Sequence, residues 1–144
     1  MGEAEEVLDS AVGWVAEHTR RYVETNGEDG HLWRGVPTLL LTTRGRRSGK
    51  LRRTALIYGQ DGDRYLVVAS KGGSARHPYW YLNLIADPNV QVQVGPDKFA
   101  ARATTAPPEE KARLWRVMAN IWPAYDEYQT RTGREIPVVV IERA

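Results

Sequence analysis

The sequence contains no cysteine, which removes disulfides and thiolate metal sites from consideration. Its three histidines, His18, His31 and His77, lie far apart and show no HExxH spacing. Each reads as a surface or packing histidine, and no metal site is expected. No apolar run approaches the ~20 residues of a membrane-spanning helix. The N-terminal stretch MGEAEEVLDS is acidic and lacks the basic start and apolar centre of a secretory signal, so a cytoplasmic protein is expected. A phosphate loop is also missing. GRRSGK is one residue short of G-x-x-x-x-G-K-[ST], and Leu51 stands where the magnesium-binding hydroxyl belongs. GGSAR lacks the last glycine of a nucleophile elbow.

What is present is ordinary in amount and uneven in distribution. Of the 144 residues 42% are hydrophobic and 26% charged, a soluble composition of one-domain length. Net charge is +2, from 20 basic and 18 acidic residues. Arg44, Arg46, Arg47, Lys50, Arg52 and Arg53 fall within TTRGRRSGKLRRT with no acid among them. Without those six, 14 basic residues face 18 acidic ones, a balance of −4. The positive charge is therefore local. That pattern fits a compact anion site better than the broad basic face of a nucleic-acid binder, and no nucleic-acid partner is expected. An RNA-binding barrel would need stacking aromatics beside the basic hairpin, and Phe99 is the only phenylalanine.

Periodicity gives the elements. EEVLDSAVGWVAEHTRRYV reads as one amphipathic helix, with Val7, Leu8, Ala11, Val12, Val15 and Tyr22 near one face and the acids Glu3, Glu5, Glu6 and Asp9 at its start. Strands are expected at 37–43, 51–59, 64–70, 90–94, 98–105 and 137–142, with a tight turn at QDGD. VQVQV should place valines inward and glutamines outward. Helices are expected at 78–86, 107–122 and around 125–133, the first two entered through prolines. The six strands, mostly joined by hairpins, predict an α+β, mainly β chain built on a small antiparallel barrel. One domain over 1–144 is expected, with an N-terminal helix and loop over 1–30 and the barrel over 31–144.

Three segments carry candidate chemistry. On the strand after the basic loop, Arg52, Thr54 and Leu56 share one face, and Arg53, Ala55 and Ile57 the other. Charge at the rim of a strand that then turns apolar suits an amphiphilic ligand with an anionic tail. ASKGG (69–73) ends a buried strand with a hydroxyl, an ammonium and two glycines, just before a helix start that offers free N–H groups. Trp122, Tyr125 and Tyr128 recur at helical spacing, as a core stripe or as an aromatic wall over a pocket.

LLLTTRGRRSGKLRRTALIY, VVASKGG, HPYWYLNLIADPNVQVQVG and YDEYQTRTGREIPVVVIER together resemble the deazaflavin-dependent nitroreductases and quinone reductases that use coenzyme F-420. The resemblance covers roughly residues 30–143. It implies an FMN-binding-like split β-barrel, mostly antiparallel, with an N-terminal helix and inserted helices. It also implies a reaction: hydride transfer from the reduced deazaflavin to a quinone, activated alkene or nitro-type acceptor. In the family the basic loop and following strand hold the cofactor's phosphate and ring edge, which here are Arg46, Arg47, Ser48, Arg52, Arg53, Thr54, Ala55, Leu56 and Ile57. The family's ring-lining segment corresponds to Val68, Ala69, Ser70 and Lys71, and the tail-binding helix start to Tyr79, Trp80, Tyr81, Leu82 and Asn83. Tyr125, with Tyr128 beside it, matches the tyrosine over ring and substrate. Ser70, Tyr125 and Tyr128 are the implied catalytic hydrogen-bond donors, and Trp122 completes the acceptor pocket where nitroimidazole-reducing members are expected to carry a third tyrosine. The implied partners are F-420 and a small hydrophobic acceptor, in a monomer or homodimer with room for peripheral contact with the inner face of the cell membrane. A non-catalytic F-420 or flavin carrier on the same barrel is the other reading.

Overall fold

The computed structural model describes residues 7–9 and 13–144. Nine strands and four α-helices follow in chain order: β1 Val7–Asp9, α1 Gly13–Glu24, β2 Leu32–Trp33, β3 Val36–Arg44, β4 Leu51–Ile57, β5 Gly59–Asp61, β6 Arg64–Val68, α2 Tyr79–Ala86, β7 Asn89–Val94, β8 Asp97–Thr105, α3 Pro108–Ile121, α4 Ala124–Thr130 and β9 Val138–Arg143. The sheet runs β1-β4-β3-β7-β8-β9-β6-β5, with β2 paired to β3. It is antiparallel except where β1 lies parallel to β4, and it curls into a half-barrel. No helix among the described residues is long and apolar enough to cross a membrane.

Six strands were expected, and the described residues form nine. The expected strand over 51–59 is interrupted at Tyr58, whose N–H still donates to Pro37 O of β3 at 3.2 Å; Gly59–Asp61 then pairs with β6. The single helix expected over 5–23 is also corrected. Val7–Asp9 is a strand in register with Leu51–Arg53, and the helix begins at Gly13. The free edge of β4 supplies pairing that a local helical period cannot reveal. Ala11, Val12, Glu3, Glu5 and Glu6 lie outside the described residues.

The near-continuous apolar runs of β6 and β9 follow from burial on both faces. Val67, Val139 and Ile141 point into the curl with Leu39, Leu41, Val90 and Val92. Leu66, Val68, Val138 and Val140 point the other way, onto Leu114 and Met118 of α3 and Tyr125 of α4. β7 keeps the expected alternation at Val90 and Val92, but Gln93 is buried as well, its Nε2 donating to Gly95 O at 3.0 Å.

Helix α1 is fastened by one phenol. Val15, His18, Thr19 and Tyr22, spaced i, i+3, i+4 and i+7, form its buried stripe. Tyr22 is fully buried; its hydroxyl donates toward Thr38 O (3.1 Å) and accepts the Gly95 N–H (2.6 Å). Burial raises its pKa, an effect partly offset by the Gly95 hydrogen bond. The loop after α1 lies close against the same hairpin, since a Cβ on Gly27 would overlap Gly95 Cα. Replacing Tyr22 by Phe strands a buried N–H, and we expect a loss of about 1–3 kcal/mol. Urea unfolding should show a lower midpoint at unchanged slope.

Candidate functional site

A cavity of about 410 Å³ opens between β4, the end of β6, the start of α2 and the aromatic face of α4. It gathers Thr54, Ala55, Leu56, Ile57, Val68, Ser70, Lys71, Tyr79, Trp80, Trp122, Tyr125 and Tyr128 from the residues singled out in the sequence. The volume falls within the range of small-ligand pockets.

Each wall has a local cause. After Val68 the chain passes through Ser70 into three consecutive left-handed residues, Lys71, Gly72 and Gly73, with φ of 45°, 62° and 82°. Gly73 is required there, because a Cβ would sit 2.6 Å from Tyr128 O. This contact seats the turn against α4. The aromatic wall is internally linked: Tyr125 and Tyr128 meet edge to face at 6.1 Å, and Trp122 Nε1 donates to the Tyr128 hydroxyl at 3.4 Å. Burial, with Tyr128 as a lesser cause, pushes the Tyr125 phenol well above the ordinary tyrosine range.

The remaining sequence candidates stand outside the cavity lining. Ala69 is sealed in the core, its N–H donating to Pro137 O. The Tyr81 hydroxyl pairs with Thr105 Oγ1 at 2.8 Å, and Leu82 is half-buried. Asn83 is buried with both ends of its amide committed: Oδ1 accepts the Arg46 N–H (3.0 Å) and Nδ2 donates to Thr43 Oγ1 (3.1 Å). It thereby braces the basic loop against α2, whose first turn lines the cavity. Arg46, Arg47, Ser48 and Arg52 are exposed. Arg46, Arg47 and Arg52 have no ion pair among the described residues, whereas Arg44 donates to Gly49 O at 2.8 Å. Arg53 faces a different recess of about 390 Å³, with Thr42, Gln91 and Lys98.

Sequence reasoning gave no role to Trp33 of β2 or to Thr38, and read His18 as a surface or packing histidine; these line the cavity with Val15, Gly72 and Pro78. The helical stripe through Val15 and Tyr22 passes through His18 and could have found it. Trp33 had no such signal; it reaches Trp122 at 5.3 Å because the two-residue hairpin after it turns at Arg34 and Gly35, both at positive φ.

Arg134 was also missed, and it holds the turn. Its Nε donates to Ser74 O (2.8 Å), Nη1 to Ala69 O (3.2 Å) and Nη2 to Ser70 O (2.8 Å). Nη1 also reaches His77 Nδ1 at 3.1 Å, and since a guanidinium only donates, that nitrogen accepts. Burial, and then the Arg134 charge, lower the pKa of His77. Lysine cannot span three carbonyls. In Arg134→Lys, exchange of the Gly73 and Ser74 amides should accelerate about tenfold or more, because local opening of the turn becomes easier. The alternative, unchanged exchange, would mean the turn holds itself. Removing the cation altogether in Arg134→Met should move the His77 titration upward, read by NMR.

Comparison with known proteins places this geometry. The family described as F-420H(2)-dependent quinone reductase matches residues 14–143, a span that includes every segment lining the cavity. An F-420H(2)-dependent quinone reductase of Mycobacterium tuberculosis is 47% identical over 130 residues, covering 88% of this chain and 87% of its own. The solved structure of an F-420-H2 dependent reductase superposes with a TM-score of 0.68 at 41% identity, over 74% of this chain and 94% of that one. Another, described as a domain-swapped dimer, gives 0.71 at 40% identity over 92% of this chain and 100% of that one. The chain belongs to the F-420H(2)-dependent quinone reductase family.

Proposed function

We propose that this chain is an enzyme that reduces quinones with reduced coenzyme F-420, seating the ring and the acceptor in the cavity between β4 and α4. One observation carries the reading. The apolar stretch Thr54–Ile57, the Ser70–Gly72 turn and the Trp122, Tyr125 and Tyr128 wall face a single space, and the basic loop is tied by Asn83 to the helix that begins at its rim.

The residues fit such a cofactor. A flat apolar ring suits a slot walled by half-buried Ala55, Leu56 and Ile57, and the guanidiniums of Arg46, Arg47 and Arg52, which have no ion pair among the described residues, suit a phosphate and a polyglutamate tail. When bound, reduced F-420 supplies the hydride. The protein's part is to hold donor and acceptor face to face and exclude water, which is largely orientation. Ser70 and Tyr125 serve as hydrogen-bond donors in this reading. The raised phenol pKa keeps Tyr125 protonated at all working pH values, so it donates a hydrogen bond without giving up its proton. Trp122 and Trp33 close the acceptor end with flat surfaces rather than phenols, which favours planar quinones. A homodimer fits the domain-swapped assembly described for one solved relative. Contact with the inner membrane face would bring a lipophilic quinone to the cavity mouth.

Binding is followed by quenching of protein fluorescence on addition of F-420, and turnover by the loss of reduced F-420 with menadione. Saturable binding with turnover is expected. Binding without turnover across a quinone panel would make the chain a carrier, and no saturable binding would end both readings. Among the arginines the effects should be unequal. Arg46→Gln or Arg52→Gln should each weaken F-420 binding about tenfold to a hundredfold, the range for hydrogen bonds to charged groups. Arg44→Gln should leave it nearly unchanged, since that side chain is already spent on Gly49 O.

A further inference from the structure

Quinone reduction leaves negative charge on an oxygen, and a proton must reach it. This argument rests on the quinone-reductase reading above. Among the proton-bearing groups that line the cavity, Tyr125 is held protonated by burial and Ser70 is an aliphatic alcohol, so neither releases a proton readily; Lys71, Tyr79 and Tyr128 also line it. His18 is the one imidazole among the described lining residues, and it is 7% exposed.

The hydrogen bonds around His18 fix its tautomer. Nε2 lies 3.3 Å from Thr38 Oγ1. The Thr38 hydroxyl has a single proton, and it is spent on Gly30 O at 2.6 Å with His31 O at 3.0 Å beside it. Thr38 can therefore only accept from His18, and Nε2 carries a hydrogen. Nδ1 makes no hydrogen bond among the described residues. The fully buried side-chain atoms left without a partner among the described residues are Thr19 Oγ1 and His31 Nδ1, and His18 Nδ1 is not one of them. Nδ1 is thus the ring nitrogen left to meet a ligand. A neutral ring would present a lone pair there, which a quinone oxygen cannot use; an imidazolium presents an N–H, which it can.

We propose that His18, as the imidazolium, donates Nδ1–H to the acceptor oxygen and passes on that proton as the hydride arrives, with Thr38 fixing the ring. The hydride brings both electrons and one hydrogen, so the deazaflavin is oxidised and the quinone reduced. The His18 Nδ1–H bond breaks as a hydroquinone O–H bond forms, and the neutral ring regains a proton from water. The surroundings make this depend on the acceptor's own charge. On α1 the Tyr22 ring stands 6.4 Å from His18, with His31 a further 6.4 Å beyond it, and Glu17, Arg20 and Arg21 share the helix. From β3 comes Thr38 and from β4 Thr54, with Arg52 and Arg53 outside the lining; Ser70 and Lys71 come from the turn, Tyr79 from α2, and Tyr125 and Tyr128 from α4. No described carboxylate lines the cavity, so the developing oxyanion is what stabilises the imidazolium.

The test has two arms. In the full chain without F-420, NMR follows the His18 ring through a pH titration with and without the 2-hydroxy-1,4-naphthoquinone anion. Binding should raise its midpoint by about one unit or more. In the kinetic arm, His18→Gln should keep F-420 affinity by fluorescence within about twofold while kcat with menadione falls about a hundredfold. The variant should also lose whatever pH dependence of kcat the wild type shows. An unmoved His18 titration, or a variant that keeps kcat and the pH dependence, overturns the proposal. Failure of wild type to bind F-420 or turn over menadione would instead overturn the reductase reading, and the titration would still decide the role of His18. That arm uses the wild-type chain, so a variant that does not fold leaves the test standing.

Discussion

Burial of β6 and β9 on both faces is the constraint from which the rest of the molecule follows. Two adjacent strands that must cover apolar side chains above and below need two layers, and the chain supplies them from different places. The curl of the sheet closes over Val67, Val139 and Ile141, while α3 and α4 close over Leu66, Val138 and Val140. The cavity lies where β6 runs out at Val68 and neither layer continues. It is a termination of two packing surfaces rather than a hollow carved into one of them.

That origin explains why the cavity mixes rigid and strained parts. Its walls are ends: the last residues of β4 and β6, the first turn of α2, and the two tyrosines of a seven-residue helix. Ends leave backbone groups unpaired, and here other side chains take them up. Arg134 collects three carbonyls of the turn after β6, and Asn83 collects an N–H of the basic loop. The positive φ of Lys71 is unfavourable for a residue with a Cβ, and it persists where that guanidinium and the contact of Gly73 with Tyr128 O over-determine the path.

Much of this was legible in the sequence, for identifiable reasons. Period two in VQVQV, the unbroken apolar runs of β6 and β9, and the proline-started helices all report forces local to the element. The association of ASKGG with the late tyrosines came instead from matching their order to a family. What could not be read depended on distant partners. β1 exists because β4 has an edge to offer. Trp33 reaches Trp122 only through the turn of a short hairpin. Arg134 looks like one more surface arginine until the turn it clamps is placed beside it. Asn83 was legible as important, but the sequence did not show that both ends of its amide serve the chain itself.

The short strand β1 has one more effect. Its ladder with β4 covers Leu51 to Arg53. From Thr54 to Ile57 the edge of β4 that faces away from β3 has no strand beside it among the described residues, and that is the stretch lining the cavity. Main-chain N–H and C=O groups are the same whatever side chains flank them. A ligand read along this edge would therefore be recognised by groups that substitutions other than proline leave in place. Side-chain changes at 54–57 could reshape the cavity and leave that recognition intact, and the alphabet of hydrogen bonds on offer is separated from the shape that selects among acceptors.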